Sequence, residues 1–216
     1  MNTAVLHLPV LHVPLHRAIL VADVEGSTTR TNPGRAQLRA MLFDLLDGAF
    51  RACGITEEAR DSFLDRGDGA LCLVRPVDEA PKTVLLAGVV PELAVRLARH
   101  NATHPDEAFR LRVAVHAGEV HYDLHGPYGE AVDLACRLLD APEVRKALRG
   151  AAGPVALTVS EGIYSAVVVH GYAGIDRSAF GHAFHVRVGR KRVRGWIRTA
   201  GWSPAGTVLP DAGLTA

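Results

Sequence analysis

The chain has 216 residues, and its 24 Lys and Arg nearly balance its 23 Asp and Glu, so its formal net charge at pH 7 is +1. This balance excludes the strong overall field by which many proteins bind nucleic acid or an anionic membrane. Hydrophobic residues make up 48% of the sequence, which excludes wholesale disorder, and the length predicts one domain with extensions.

Residues 17–200 are predicted to form this domain. The N-terminal extension, residues 1–16, is apolar, but prolines interrupt it before membrane length and it lacks a basic start, so neither a signal peptide nor an anchor is predicted. Residues 201–216 are rich in Gly, Pro and Ala and are predicted to form a flexible tail. Three cysteines without metal-ligand spacing indicate a reducing, cytoplasmic location: Cys53, Cys72 and Cys136.

The first motif is an apolar, β-branched run over residues 19–22, which predicts a buried strand that delivers Asp23 into a turn. The turn residues Gly26, Ser27 and Thr28 lead to a helix, so their backbone N–H groups suit a polyphosphate whose charge a divalent cation neutralises. Mg²⁺ prefers such oxygen ligands. The same residues also fit an ordinary helix-capping turn, and the motif alone does not decide between the two.

The later elements are predicted from apolar spacing and turn residues. They are a helix over 38–50, a hairpin around 65–69, a helix over 81–100 that Pro91 kinks or splits, a strand over 109–116, a helix over 129–148, a strand over 155–159, a short helix capped by Ser160, and strands over 184–188 and 193–197. The hairpin requires antiparallel pairing, so a mixed or antiparallel sheet with helices on one side is expected.

The hairpin turn holds a second acid, Asp68, beside glycine at the edge of an apolar strand. Adjacent strands would bring Asp23 and Asp68 together, where they could share one or two divalent cations for phosphoryl chemistry. Alternatively, the segment is only a favourable turn.

The third motif places Asp133 and Arg137 on one face of a predicted helix. Such a pair is commonly a surface ion pair worth about 0.3–0.5 kcal/mol. As a functional group, a fixed arginine could instead stabilise charge that develops on a phosphate.

Four motifs, in this order, resemble those of the class III nucleotidyl (adenylate/guanylate) cyclase catalytic domain over residues 17–198. Residues 21–28 and 66–69 are similar to its two metal motifs. Residues 112–120 resemble its strand with a His-Thr-Gly step, and residues 132–138 resemble the helix that bears its catalytic Asn and Arg. The chain is thereby identified as a divergent, stand-alone bacterial member.

The resemblance implies an α+β, ferredoxin-like sandwich that forms a homodimer with active sites at the interface. Each site would take both metal-binding acids from one chain and the arginine from the other. The 3′-hydroxyl of a nucleoside triphosphate would attack its α-phosphate and release pyrophosphate.

By the same resemblance, Asp23 and Asp68 bind Mg²⁺ or Mn²⁺, and Arg137 stabilises the transition state. Arg194 matches a late Lys-Gly step and would contact the triphosphate. Strand alternation offers another interpretation, in which the arginines of residues 190–194 form a solvated strand face.

Three positions depart from the family pattern. Asp133 replaces the transition-state Asn, and its anion would repel the nucleotide unless it were protonated or turned toward Arg137. Leu64 replaces a Lys and Gly126 a base-reading Asp, so neither can make the hydrogen bonds that specify adenine.

Three functions therefore stay open. The first is a cyclase with non-adenylate base selection, such as a pyrimidine nucleotide. The second is a catalytically degenerate domain that binds nucleotide or a protein partner. The third, a nucleic-acid-binding module that uses residues 190–198, is least favoured because the expected aromatics and charge are missing. Paired buried acids favour the first over the second, because a domain freed from catalysis has no physical need for them.

Overall fold

The computed structural model describes residues 13–202, apart from the side chain of His182. Most of the predicted extension and nearly all of the predicted tail therefore lie outside the described residues. Residues 15 and 16, which were assigned to the extension, already belong to the first strand. Within the described range, no helix combines the length and the apolarity that crossing a membrane requires.

One eight-stranded mixed sheet organises the fold. Its strands are β1 (Leu15–Val24), β2 (Leu64–Asp65), β3 (Gly69–Val74), β4 (Leu111–Asp123), β5 (Gly126–Tyr128), β6 (Val155–Ser160), β7 (His182–Val188) and β8 (Lys191–Arg198). The order is β2-β3-β1-β4-β6-β8-β7, and β5 pairs with the end of β4. Only β4 and β6 pair in parallel. The predicted α+β class with a mixed sheet is confirmed.

The helices are α1 (Asn32–Ala52), α2 (Lys82–Val84), α3 (Val90–Thr103), α4 (Glu130–Leu139), α5 (Pro142–Gly150) and α6 (Glu161–Ala166). The predicted helix over 81–100 is split: a π-helical turn over Leu85–Val89 separates α2 from α3, and Pro91 lies in the first turn of α3, just after the π-helical turn. Pro142 likewise starts α5, so the helix predicted over 129–148 is two helices. Ser160 caps α6 as expected, because its hydroxyl accepts the N–H of Ile163.

Helices cover both faces of the sheet, so the expectation of helices on one side was wrong. From β1, Ala18, Leu20 and Ala22 pack into the core beneath α1 and α3. Ile19 and Val21 pack on the opposite face, in the core beneath α4 and α5. The unbroken apolar run of β1 is what a strand covered on both faces requires.

The close pairing of β1 with β3 positions the two acids. Asp23 lies opposite Gly69 in the antiparallel register. A Cβ atom at Gly69 would overlap the carbonyl oxygen of Ala22, so only glycine permits this approach. The preceding residue, Asp68, is therefore held against the end of β1, and the N–H of Val24 donates to its carbonyl oxygen at 3.0 Å.

Candidate active site

The structure brings the two predicted metal-binding acids into contact. The carboxyl groups of Asp23 and Asp68 lie side by side at the end of β1, close enough that each shifts the pKa of the other. The carboxylate of Asp23 is 14% exposed, so it is largely removed from bulk water. Two acids in contact at such a site need either a shared proton or a cation between them.

The predicted phosphate turn is adjacent to this pair. Gly26 has a left-handed backbone, with φ of 69°, and starts a 3-10 turn over Ser27–Thr29. Ser27 is 3% exposed, and its hydroxyl donates to Oδ2 of Asp68 at 2.5 Å, whereas Thr28 is exposed. Because the Ser27 hydroxyl already donates to the Asp68 carboxylate, Ser27 could contact a phosphate only through its backbone N–H.

Arg112 is a site residue that the sequence did not single out. It lies opposite Asp23 in the pairing of β1 with β4, and its Nη2 donates to Oδ2 of Asp23. The residue is 9% exposed, and its Nε and Nη1 are buried without a hydrogen-bond partner. A buried guanidinium beside two acids compensates their charge, and its Nη1 is also 3.8 Å from a carboxylate oxygen of Asp140. An arginine inside the otherwise apolar run over residues 111–115 was the signal that could have identified it.

The environment separates the pKa values of the two acids. Burial raises the pKa of Asp23 to about 6; the Arg112 guanidinium opposes this rise, and the charge of Asp68 adds to it. Burial also acts to raise the pKa of Asp68, but the hydrogen bonds from Ser27 and Asp23, together with Arg112, outweigh it and leave that pKa lowered. The pair therefore holds one proton, on Asp23, below about pH 6.

This shared proton predicts a pH-dependent cation affinity. If Mn²⁺ binds at this pair, Asp23 must first lose its proton, so binding would release a proton below about pH 6. We expect the Mn²⁺ dissociation constant to be constant above pH 7 and to rise about tenfold per pH unit below that pKa. Titrations followed by Mn²⁺ electron paramagnetic resonance from pH 5 to 8 measure it. A flat profile would contradict the shared proton.

Asp133 and Arg137 lie on the exposed face of α4, while Val132, Ala135 and Leu139 face the core. Among residues 13–202, no ion pair or side-chain hydrogen bond involves Asp133 or Arg137, so the expected surface pair between them is not formed. The structure also does not bring Arg137 to the carboxylates of its own chain. Within residues 13–202 this face of α4 is exposed.

The two predicted base-pocket positions carry no polar side chain. Leu64 is half-buried on the α4 side of the sheet. Gly126 is the first residue of β5 and has a φ of 119°. A polar cluster that the sequence did not indicate involves the same face: Tyr122 donates its hydroxyl proton to Asp61 at 2.7 Å and accepts from Nε of Arg17 at 3.0 Å. Tyr122 and Leu64 border the same apolar core.

Arg194 lies on the sheet face opposite to α4. Its Nε is 4.0 Å from a carboxylate oxygen of Glu161, and it lies over the ring of Trp196, which borders the core beneath α1 and α3. Lys191, at the start of β8, instead reaches the first turn of α4, where its Nζ donates to Glu130 at 2.6 and 2.9 Å. The contact between Arg194 and a triphosphate stays a prediction, and Lys191 is a second basic candidate.

A divalent cation fits the donor set at the carboxylate pair. No group of three or more His, Cys, Asp or Glu side chains in metal-binding arrangement occurs within the described range, so the protein supplies two carboxylates here. Mg²⁺ and similar hard cations commonly bind through one or two carboxylates together with substrate phosphates and water. Asp23 and Asp68 would hold such an ion together with a phosphorylated substrate.

Comparison with known proteins identifies the fold. No protein-family model and no curated protein matches the sequence. The guanylyl cyclase Cya2 matches with a TM-score of 0.60 and 17% identity over 91% of this chain and 96% of that one. An adenylate/guanylate cyclase/hydrolase from Silicibacter pomeroyi matches with a TM-score of 0.58 and 18% identity, over 87% of this chain and 98% of that one. The adenylyl cyclase CyaB from P. aeruginosa matches with a TM-score of 0.59 and 11% identity, over 87% of this chain and 95% of that one. At these identities the likeness shows the fold, which is that of class III cyclase domains.

Proposed function

We propose that this chain, which has the class III cyclase fold, is a metal-dependent nucleotidyl cyclase. It would convert a nucleoside triphosphate to a 3′,5′-cyclic monophosphate and pyrophosphate as a homodimer. The observation that carries the proposal is the contact between Asp23 and Asp68 beside the turn over Ser27–Thr29. Asp23 is largely buried and Asp68 is exposed beside it, and placing a largely buried carboxyl against a second acid costs free energy that the fold alone does not require.

When bound with the substrate, Mg²⁺ or Mn²⁺ would lower the pKa of the attacking hydroxyl and neutralise triphosphate charge. The carboxylates of Asp23 and Asp68 hold the ion, and the first N–H groups of the 3-10 turn, which lack acceptors within it, bind a phosphate. Arg112 keeps Asp23 in position and compensates the charge of its carboxylate.

The remaining groups come from a second copy of the chain. Arg137 is exposed on α4 and would reach the carboxylate pair of the partner, where it donates to the α-phosphate oxygens. The 3′-hydroxyl would pass its proton to water as its oxygen bonds to the α-phosphorus, and the bond from that phosphorus to pyrophosphate would break. Arginine is suited to this role because its charge and planar donors are permanent.

Base selection is proposed to be non-adenylate, such as for a pyrimidine nucleotide. Leu64 and Gly126 offer no side-chain hydrogen bond to a base. The cluster of Asp61, Tyr122 and Arg17, which borders the same core as Leu64, contains both acceptors and donors and could read a base edge instead.

The Asp133→Asn variant tests the main departure from the family pattern. If the anion faces the nucleotide, its removal relieves a repulsion of about 1.4 kcal/mol, estimated for unit charges some 6 Å apart at an effective dielectric constant of about 40. We therefore expect kcat/KM to rise about tenfold. Steady-state kinetics on both proteins measure this. A fall in activity would instead assign Asp133 a catalytic role of its own.

The proposed function is tested with the purified protein, Mn²⁺ and each of ATP, GTP, CTP and UTP. We expect one triphosphate to give its cyclic monophosphate and pyrophosphate in equal amounts, identified by mass spectrometry. Asp133 in place of Asn favours a second candidate, a domain that binds nucleotide or a protein partner without turnover. Absence of product from all four triphosphates would select that candidate.

A further inference from the structure

Two arginines one turn apart on α1 each reach a different loop of the candidate site. Arg35 holds the phosphate turn: its Nη2 donates to the carbonyl oxygen of Thr28 at 2.8 Å, and its Nε donates to that of Arg30 at 3.2 Å. Since both acceptors are backbone atoms, these contacts constrain the path of the turn.

Arg39 holds the turn that carries Asp68. Its Nη1 donates to Oδ1 of Asp65 and to the carbonyl oxygen of Gly67 at 3.3 Å. The same Asp65 oxygen accepts the N–H of Gly67 at 2.9 Å, which closes the turn. Arg39 and this N–H lower the pKa of Asp65, so its carboxylate is ionised at neutral pH and the contact with Arg39 is an ion pair.

A cavity separates α1 from these loops, and the two arginines extend across it. Its volume is about 360 Å³, and its lining includes Arg35 and Arg39 from α1 together with Ser27, Gly67 and Asp68 from the loops. The phosphate turn runs directly into α1 at Asn32, whereas the turn over residues 65–69 meets α1 across this cavity, where the guanidinium contacts of Arg39 link the two.

We propose that Arg35 and Arg39 are positioning residues that hold the phosphate turn and the metal turn on α1, and that Arg39, acting through Asp65, places the Asp68 carboxylate for cation binding. The purpose of this arrangement rests on the proposed function. Within residues 13–202 neither arginine hydrogen-bonds to Asp23 or Asp68, so Arg35 acts through the backbone of its turn, and Arg39 acts through the Asp65 carboxylate and the Gly67 carbonyl. A ligand set must be held within about 0.5 Å of its binding geometry, which an unsupported loop does not achieve.

The test compares Arg39→Ala with Arg51→Ala. Arg51 is the matched control because it lies on the same helix, in an exposed ion pair with Asp47 at 2.8 Å. Mn²⁺ alone is the probe, titrated at pH 7.5 by electron paramagnetic resonance, and amide hydrogen exchange is followed without metal. For Arg39→Ala we expect about tenfold weaker Mn²⁺ binding, at the low end for outer-shell variants of metal sites, and faster amide exchange confined to residues 65–69.

Two further variants separate positioning from general stability. Arg39→Lys keeps the charge opposite Asp65 but loses the planar guanidinium, whose Nη1 contacts both Asp65 and Gly67, so it should restore Mn²⁺ affinity in part. Asp65→Asn leaves α1 unaltered and should show the same faster amide hydrogen exchange at residues 65–69 as Arg39→Ala. Either faster exchange spread over the whole chain, or Arg39→Ala behaving like Arg51→Ala in both measurements, would overturn the proposal.

The outcome is independent of turnover. If the wild-type protein forms no cyclic nucleotide but Arg39→Ala still weakens Mn²⁺ binding and loosens residues 65–69, the proposed function fails and the positioning role stands. If Asp68→Asn leaves Mn²⁺ binding unchanged, Asp68 is not a metal ligand, and the proposed link from Arg39 to cation binding is overturned as well.

Discussion

Replacing either metal-binding acid is expected to abolish cyclic nucleotide formation. Asp23→Ala and Asp68→Ala should each lower kcat/KM at least about a thousandfold, because a cation contributes several kcal/mol to such a reaction and each 1.36 kcal/mol is tenfold in rate. Mn²⁺ affinity should fall with the activity. The measurement is product formation at saturating Mn²⁺ and nucleotide.

Further variants that preserve the fold are needed beside the alanine variants. Asp23→Ala leaves the Arg112 guanidinium buried without its ion-pair partner, which can cost about 3–5 kcal/mol of stability. Asp23→Asn and Asp68→Asn keep shape and hydrogen bonding but remove the charge, so they should remain folded and inactive. Asp106→Ala, in an exposed turn, is the matched control and should keep wild-type activity. Activity above a few per cent in either Asn variant would contradict the two-carboxylate site.

Removal of Arg137 should have the second largest effect. Arg137→Ala is expected to lower kcat about 10²–10³-fold with little change in KM, because the guanidinium stabilises charge that develops only in the transition state. The melting temperature should not change, since Arg137 is exposed and makes no recorded ion pair within residues 13–202. Steady-state kinetics and thermal unfolding of the same preparations measure both quantities.

Arg149→Ala provides the control for surface charge. Arg149 is exposed on the neighbouring helix α5, and its replacement removes the same charge at a different position. We expect its kinetics to match the wild type. If Arg137→Ala raised KM and left kcat unchanged, Arg137 would bind the substrate without acting on the transition state.

Local signals in the sequence were sufficient to predict the main strands and the contact between the two acids. The apolar run before Asp23 and the glycines around Asp68 each define a strand end, and adjacent strands bring such ends together. The helix boundaries at Pro91 and Pro142 were harder, because a proline in a helical pattern is compatible with a kink, a break or a new first turn.

The parts that sequence reasoning missed depend on register and on distant contacts. Arg112 meets Asp23 only because β4 pairs beside β1 in one register, across 89 residues of sequence. Arg194 and Lys191 point to opposite faces of the same strand, and a shift of one residue would exchange them. Helices on both faces could have been predicted from the continuous apolar character of β1.

The central claim is that each active site combines the carboxylates of one chain with Arg137 of another. Mixing the inactive variants Asp68→Asn and Arg137→Ala tests it most directly. In a mixed dimer, one site then has both the Asp68 carboxylate and Arg137, and the other site lacks both. We predict that the mixture regains up to about a quarter of wild-type cyclase activity, since about half of randomly assorted dimers are mixed and each has one working site. A mixture that stays as inactive as its components, while subunit exchange is demonstrated, would contradict the account.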